Sequence, residues 1–383
     1  MLEQPETGAV AAAPIEYRFS FTGTGREYFS IWIVNLLLSI VTLGIYSAWA
    51  KVRREQYFHR STLLDGQRFD YTGKAKNILI GRVLALIVIG AGSTLQKISV
   101  PLAIGVAVFY AIAYPWVMVR SLKFRARNTR YRNLAFGFSG TSWEACKVYG
   151  WVYLIILPYI AAYLVALPAL NEIRTSGHKP DNYGTLSIML AAGMGVTFLL
   201  MLALWPIYRW RINAFLYRHV HYGNAQGGFD ATLGSFYKTF LQAFAISLLV
   251  LPFWIIAGIL MGALKTPLPL ALIYISMVIP VAAYFVCVAN TTYAHASIGG
   301  QRFKSDLKVA SYGWLIFSNL LMLLFTLGIA WPWISVRVAR YRLEHLSLIA
   351  EPVALDAIVS APEQQISAFG EEAAEFLDFD ISL

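Results

Sequence analysis

Of 383 residues, 58% are hydrophobic and only 14% are charged, well below the quarter or so typical of a soluble domain, so the chain belongs in a bilayer. Its net charge of +10 is carried by residues that directly abut apolar stretches, which suits anionic lipid and leaves no need for a nucleic-acid partner. Apolar runs of about 20 residues exclude the shorter alternating strands of an outer-membrane barrel.

Residues 1–16 are acidic without a continuous apolar core and read as a flexible N-terminus, not a cleaved signal peptide. Eight hydrophobic segments follow, near 29–49, 78–96, 100–119, 149–170, 185–208, 240–264, 268–289 and 312–336. Between them recurs an alternating motif closed by a turn residue: RFSFTG (18–23), RFDYTG (68–73) and AFGFSG (135–140), with GQRF at both 66–69 and 300–303. Each reads as a short strand. GGFDATLG around Phe229 is the weakest relative of that motif. A basic, aromatic extension follows the first, third and fifth segments, as in WAKVRREQYFHR (49–60). After residue 346 the charge reverses, and 347–383 reads as an acidic, disordered tail.

The first and last segments are duplicates. Asn35, Leu36, Leu37, Thr42, Leu43, Gly44, Ile45, Trp49, Val52, Arg53 and Tyr57 match Asn319, Leu320, Leu321, Thr326, Leu327, Gly328, Ile329, Trp333, Val336, Arg337 and Tyr341 without a gap. The sequence therefore divides 17–346 into modules at 17–67, 68–134, 135–227, 228–300 and 301–346. The expected fold is an all-α polytopic integral membrane protein of about eight hydrophobic segments, with short strand motifs pairing into a small sheet between modules.

Lysines and arginines are placed asymmetrically. The loops after segments one, three, five and seven hold 22 of them, against four in the intervening loops and none in the tail. The positive-inside rule puts the long basic loops in the cytoplasm. The combination of FTGTGREYF, NLLLSIVTLGIYSAWAKVR and LDGQRFDYTG resembles the YjgN family of bacterial inner-membrane proteins, a domain of unknown function. The resemblance implies the location and the fold, and it brings no catalytic residue.

One crossing by segment eight would leave Arg337, Arg340 and Arg342 outside the cell, against the charge rule. Either Thr326-Leu327-Gly328 breaks segment eight into a re-entrant element, or one hairpin is misread. The same break at Thr42-Leu43-Gly44 would bring all five modules back to one side.

Neither a His-Glu-x-x-His zinc motif nor a Gly-x-x-x-x-Gly-Lys loop occurs. Cys146 and Cys287 share no metal or redox spacing, and His219 and His221 stand on different faces of a helix. No cofactor, metal or enzymatic activity is expected. Asn35 and Asn319 are candidate helix-packing or pathway residues, and Gly44 and Gly328 permit a bend or a close approach. Trp49, Arg53, Tyr57, Trp333, Arg337 and Tyr341 are interfacial anchors. Arg82 is an intramembrane charge that can snorkel to the headgroups. Internal repeats and prolines within spans point to a permease, channel or lipid-handling protein for a neutral or amphipathic substrate. The alternative is a non-catalytic scaffold or regulator. Expected partners are lipids of the anionic cytoplasmic leaflet and other membrane or envelope proteins; oligomeric state is not legible.

Overall fold

The structure, a computed structural model, describes residues 14–177 and 183–351. Strand β1 (Ile15–Phe21) leads into helices α1 (Gly25–Val41) and α2 (Ser47–Ser61), which return to β2 (Thr62–Leu64). The second module repeats this with β3 (Gln67–Tyr71), α3 (Ala75–Leu95), α4 (Val100–Asn128) and β4 (Thr129–Tyr131). The third has β5 (Leu134–Phe138), α5 (Ser142–Tyr149), α6 (Trp151–Ser176), α7 (Tyr183–His219) and β6 (Val220–Tyr222). The fourth runs β7 (Ala225–Phe229), α8 (Leu233–Ser247), a 3-10 turn at Leu248–Val250, α9 (Leu251–Leu264), α10 (Leu270–Ser276), α11 (Val278–Ala294) and β8 (Ala296–Ile298). The fifth is β9 (Gln301–Ser305), α12 (Val309–Phe325), α13 (Trp331–Glu344) and β10 (Leu346–Ala350).

Two-residue turns join the strands of successive modules. Asp65-Gly66, Arg132-Asn133, Gly223-Asn224 and Gly299-Gly300 each carry at least one residue at positive φ, the backbone that such hairpins require. Antiparallel pairing continues from strand to strand until β10 meets β1, and the ten strands close into a barrel. Its interior is filled by Phe19, Leu64, Tyr131, Tyr222 and Leu348, with Phe69, Phe136 and Phe303 packed against them. The tyrosine hydroxyls inside are satisfied by a stepwise pattern. Tyr131 donates to the Leu64 carbonyl at 2.9 Å and Tyr222 to the Tyr131 carbonyl at 2.8 Å, so each reaches its counterpart one module earlier.

The five modules obey one rule at their junctions. The backbone N–H groups of Thr22, Thr72, Ser139, Asp230 and Asp306 donate to the carbonyls of Ser61, Asn128, His219, His295 and His345, all at 2.9–3.1 Å. That bond ties the end of each returning helix to the strand beside it. Tight packing recurs too: Ala48, Pro115, Pro206, Ala282 and Pro332, equivalent in the five returning helices, are all buried.

This architecture corrects the all-α expectation. The strands form a closed ten-stranded barrel in place of a small sheet, and Phe229 joins it through the pairing of β7 with β8. β10 reaches into the segment assigned from sequence to the acidic tail; residues 352–383, and residues 1–13 of the N-terminal segment, lie outside the described residues. The count of eight spans is also corrected. Among the described residues six helical stretches are long and apolar enough to cross a membrane: Ala75–Leu95, Val100–Asn128, Trp151–Ile173, Tyr183–His219, Leu233–Leu264 and Leu270–Ala294.

The first and last segments are helical hairpins instead. Leu43 and Gly44 have φ of +50° and +90°, and Leu327 and Gly328 repeat those values. The Gly44 N–H reaches back to the Ser39 carbonyl at 2.7 Å and Gly328 to Leu323 at 3.0 Å, a left-handed helix end of the Schellman kind. Each threonine closes the turn, Thr42 Oγ1 accepting from the Tyr46 N–H and Thr326 Oγ1 from Ala330. The duplicated octet is therefore a turn that sends the chain back to the barrel.

These two hairpins are short. α2 and α4 end at equivalent residues, yet α2 has 15 residues and α4 has 29, a difference of about 20 Å at ~1.5 Å per residue. Because β1 pairs with β10, the short hairpins stand side by side. Phe29 meets Trp333 with ring centroids 4.9 Å apart. Gly25 permits the contact, since a Cβ there would lie 2.2 Å from the Trp333 ring.

Candidate functional site

The duplicated positions diverge in their contacts. In the fifth module Arg337 is seated inside its own hairpin. Its guanidinium donates to Asn319 Oδ1 at 2.9 Å, Ser318 Oγ at 3.1 Å and Met322 Sδ at 3.0 Å. In the first module Asn35, buried like Asn319, donates only a long 3.5 Å bond from Nδ2 to the Ala50 carbonyl, and its Oδ1 has no partner. Arg53 is exposed and lies 5.9 Å from the Tyr46 ring centroid. The two asparagines therefore hydrogen-bond to the returning helices of their own hairpins, and among the described residues no hydrogen bond joins them to each other.

Beside Arg53 opens a cavity of about 590 Å³ whose walls include Glu27, Arg53, Gln56, Tyr57, Arg60 and Arg68. Arg53, Gln56 and Arg60 recur at three- and four-residue spacing, so α2 presents them on one face. Glu27 comes from the first turn of α1, and Arg68 from β3. Arg60 Nε pairs with Asp70 Oδ1 at 2.7 Å. Arg68 is exposed, and its side chain has no ion pair or hydrogen bond among the described residues.

The opposite wall is a helix cap. The Thr24 backbone N–H and the Tyr57 hydroxyl both donate to Glu27 Oε2, at 3.3 and 3.2 Å, and the Glu27 N–H donates to Thr24 Oγ1. The Thr24 contacts, with Tyr57, hold the Glu27 carboxyl below the usual carboxylate range. Burial pushes the Tyr57 hydroxyl up to about 12, so it stays a donor at neutral pH. Tyr57 also donates to the Thr24 carbonyl at 2.8 Å, and its duplicate Tyr341 donates to the Lys308 carbonyl at 3.4 Å.

The remaining predicted residues serve the hairpins. Gly44 and Gly328 occupy the tips, where Leu43 and Leu327 are 95% and 92% exposed. Trp49 stacks on Tyr46 with centroids 6.1 Å apart. Trp333 fills the seam with α1. Arg82 donates from Nη1 to Ser47 Oγ at 2.5 Å, tying α3 to the first hairpin just behind its tip. His219 Nε2 lies 3.5 Å from Glu144, and among the described residues no cluster of three His, Cys, Asp or Glu side chains could hold a metal.

Arg60, Arg68, Gln56 and Glu27 were not singled out from sequence. The available signal was the duplication itself: opposite Arg337 stand Ser318, Asn319 and Met322, whereas the positions matching those acceptors in the first copy are Val34, Asn35 and Leu38.

The chain is similar to proteins named "Inner membrane protein YjgN". It is 25% identical over 357 residues to the one from Salmonella typhimurium (strain LT2), covering 82% of this chain and 84% of that protein. Shorter matches are to Escherichia coli O157:H7, 26% identical over 188 residues (47% of this chain, 44% of that protein), and to Escherichia coli (strain K12), 42% over 64 residues (17% and 16%). No solved structure matches the chain. The family described as "Bacterial protein of unknown function (DUF898)" matches residues 16–376, and with six apolar helices above a barrel of its own repeats the chain belongs to that family.

Proposed function

We propose that this protein handles lipid, taking up an amphipathic molecule from one leaflet at its two short hairpins. The observation that carries the reading is their depth beside the longer helices. From Arg53 to the tip is only about 10 Å of helix, less than half of a hydrocarbon core of roughly 30 Å. With arginines at headgroup level, as interfacial arginines prefer, the tips stop within one leaflet and leave lipid-filled space above them. The filled barrel interior argues against a polar channel along its axis. The basic helix ends support a cytoplasmic barrel. Labelling single cysteines at 128 and 97 in sealed vesicles tests that side; the same accessibility at both positions refutes it.

The function is tested with purified protein. Native mass spectrometry is expected to find retained phospholipid, and proteoliposomes are expected to exchange a fluorescent phospholipid between leaflets faster than empty ones. No retention together with no exchange overturns the reading and favours the scaffold alternative, which the same filled barrel, as a rigid platform, also suits.

A further inference from the structure

We propose that the cavity at the base of the first hairpin binds a phosphate group, and that Arg53 is free to do so because the first copy has lost the internal seat that its duplicate retains. The proposal deepens the lipid-handling reading and rests on it for the source of the phosphate. In the fifth module three acceptors hold the guanidinium: Ser318, Asn319 and Met322. In the first, Val34 and Leu38 remove two of them and leave only Asn35. A guanidinium has five N–H donors and is costly to bury with a single acceptor. Arg53 turns outward to the cavity, and Asn35 Oδ1 is left buried and unpartnered, with its residue 7% exposed.

The cavity that receives Arg53 has an excess of positive charge. Arg53, Arg60 and Arg68 line it against one carboxylate, Glu27. Glu27 is committed to Thr24 and Tyr57, and Asp70 engages Arg60 through Nε alone. Arg53 and Arg68 keep their planar forks for an incoming ligand, the geometry that suits phosphate oxygens. Gln56 donates one amide hydrogen of Nε2 to the Tyr71 carbonyl at 3.5 Å and has the other to offer, and Ile31 on the same wall continues into exposed Val34 and Leu38 on α1, an apolar track for a chain attached to that phosphate. The phosphate is that of a membrane phospholipid or of a soluble ester, and both have the same chemistry at the arginines.

The test uses the full chain in nanodiscs of a phosphate-free galactolipid with or without phosphatidylglycerol, and in detergent with glycerol 3-phosphate as the soluble probe. Arg53→Gln and Arg68→Gln are each expected to weaken binding about tenfold, as loss of a charge-assisted contact does, with an unchanged melting temperature. Arg337→Gln is expected to lower the melting temperature and leave the affinity of the folded protein unchanged. The decisive variant rebuilds the seat: Val34→Ser with Leu38→Met is expected to draw Arg53 onto Asn35, raise the melting temperature and weaken phosphate binding. Unchanged binding of both probes in Arg53→Gln and Arg68→Gln overturns the site, and lipid retained equally by every variant does so while sparing the lipid-handling reading. Binding of glycerol 3-phosphate but not of phosphatidylglycerol upholds the site and makes its phosphate that of a soluble ester, while retention and exchange of lipid decide the lipid-handling reading separately.

Discussion

Asn319 and Asn35 occupy the same place in two copies of one hairpin but differ in what they hold. Asn319→Leu removes an acceptor from the half-buried Arg337 and is expected to cost about 2–3 kcal/mol, the scale for stranding a charged donor. Asn35→Leu removes one long bond and an orphaned carbonyl oxygen, so a change within roughly 0.5 kcal/mol is expected. Melting in detergent checks the pair; equal losses would show that the duplicates still share one role. Glu16, Glu27 and Glu144 each have a lowered pKa, through hydrogen bonds from Ser347, from Thr24 and from Thr141 respectively as the largest causes. Their folded pKa values lie below the unfolded ones, so their contribution is complete above the ordinary carboxylate range and is lost as pH falls through the lowered values. A melting series from pH 6 downward is expected to be flat at first and then to decline, and Glu27→Gln with Glu144→Gln flattens the decline. The matched arginines were legible in sequence from the duplication alone. Their different fates were not, because which side chains face a guanidinium depends on how the two helices of a hairpin cross.

The two short hairpins turn on glycines with φ of +90° and no atom within 4 Å of an added Cβ. The cost of Gly44→Val and Gly328→Val is therefore conformational, about 1–3 kcal/mol each, and is expected to be equal at the two positions. Gly25→Ala differs in kind, since its Cβ meets the Trp333 ring and forces the two hairpins apart. Detergent melting of the three variants separates these cases: unequal losses at the tips would show that one tip is packed against something. Among elements, the helices and the second strand of each pair could be read from hydrophobicity, because Phe19, Phe69 and Phe303 alternate with polar neighbours, and Phe136 with the small Ala135 and Gly137, over at least five residues. β7 was faint because Gly227 stands where those strands have phenylalanine. The first strands were invisible for another reason. β2, β4, β6 and β8 are three residues long and follow a helix almost without a break, too short for alternation to show.

At the scale of the molecule, the five modules form a ring in which the long hairpins of modules two to four are followed by two short ones, and the strands that close it come from opposite ends of the chain. Arg18 and Ser347 face each other across that seam, where directly opposed Cα atoms lie within disulfide range. Arg18→Cys combined with Ser347→Cys is expected to cross-link under mild oxidation, read as a mobility shift on non-reducing gels that reducing agent abolishes. Failure to cross-link would mean an open barrel. The seam also sets an order of events during synthesis. Ser347 Oγ donates to Glu16 across 331 residues of sequence, so β1 waits, unpaired on one edge, while the ribosome makes nearly everything else. At roughly 5–20 residues per second that wait lasts on the order of 15 s to a minute. The long hairpins of modules two to four are made before the ring can be sealed, and the last strand acts as a checkpoint: a chain that stalls early is left with an open edge strand that a chaperone or protease can recognise.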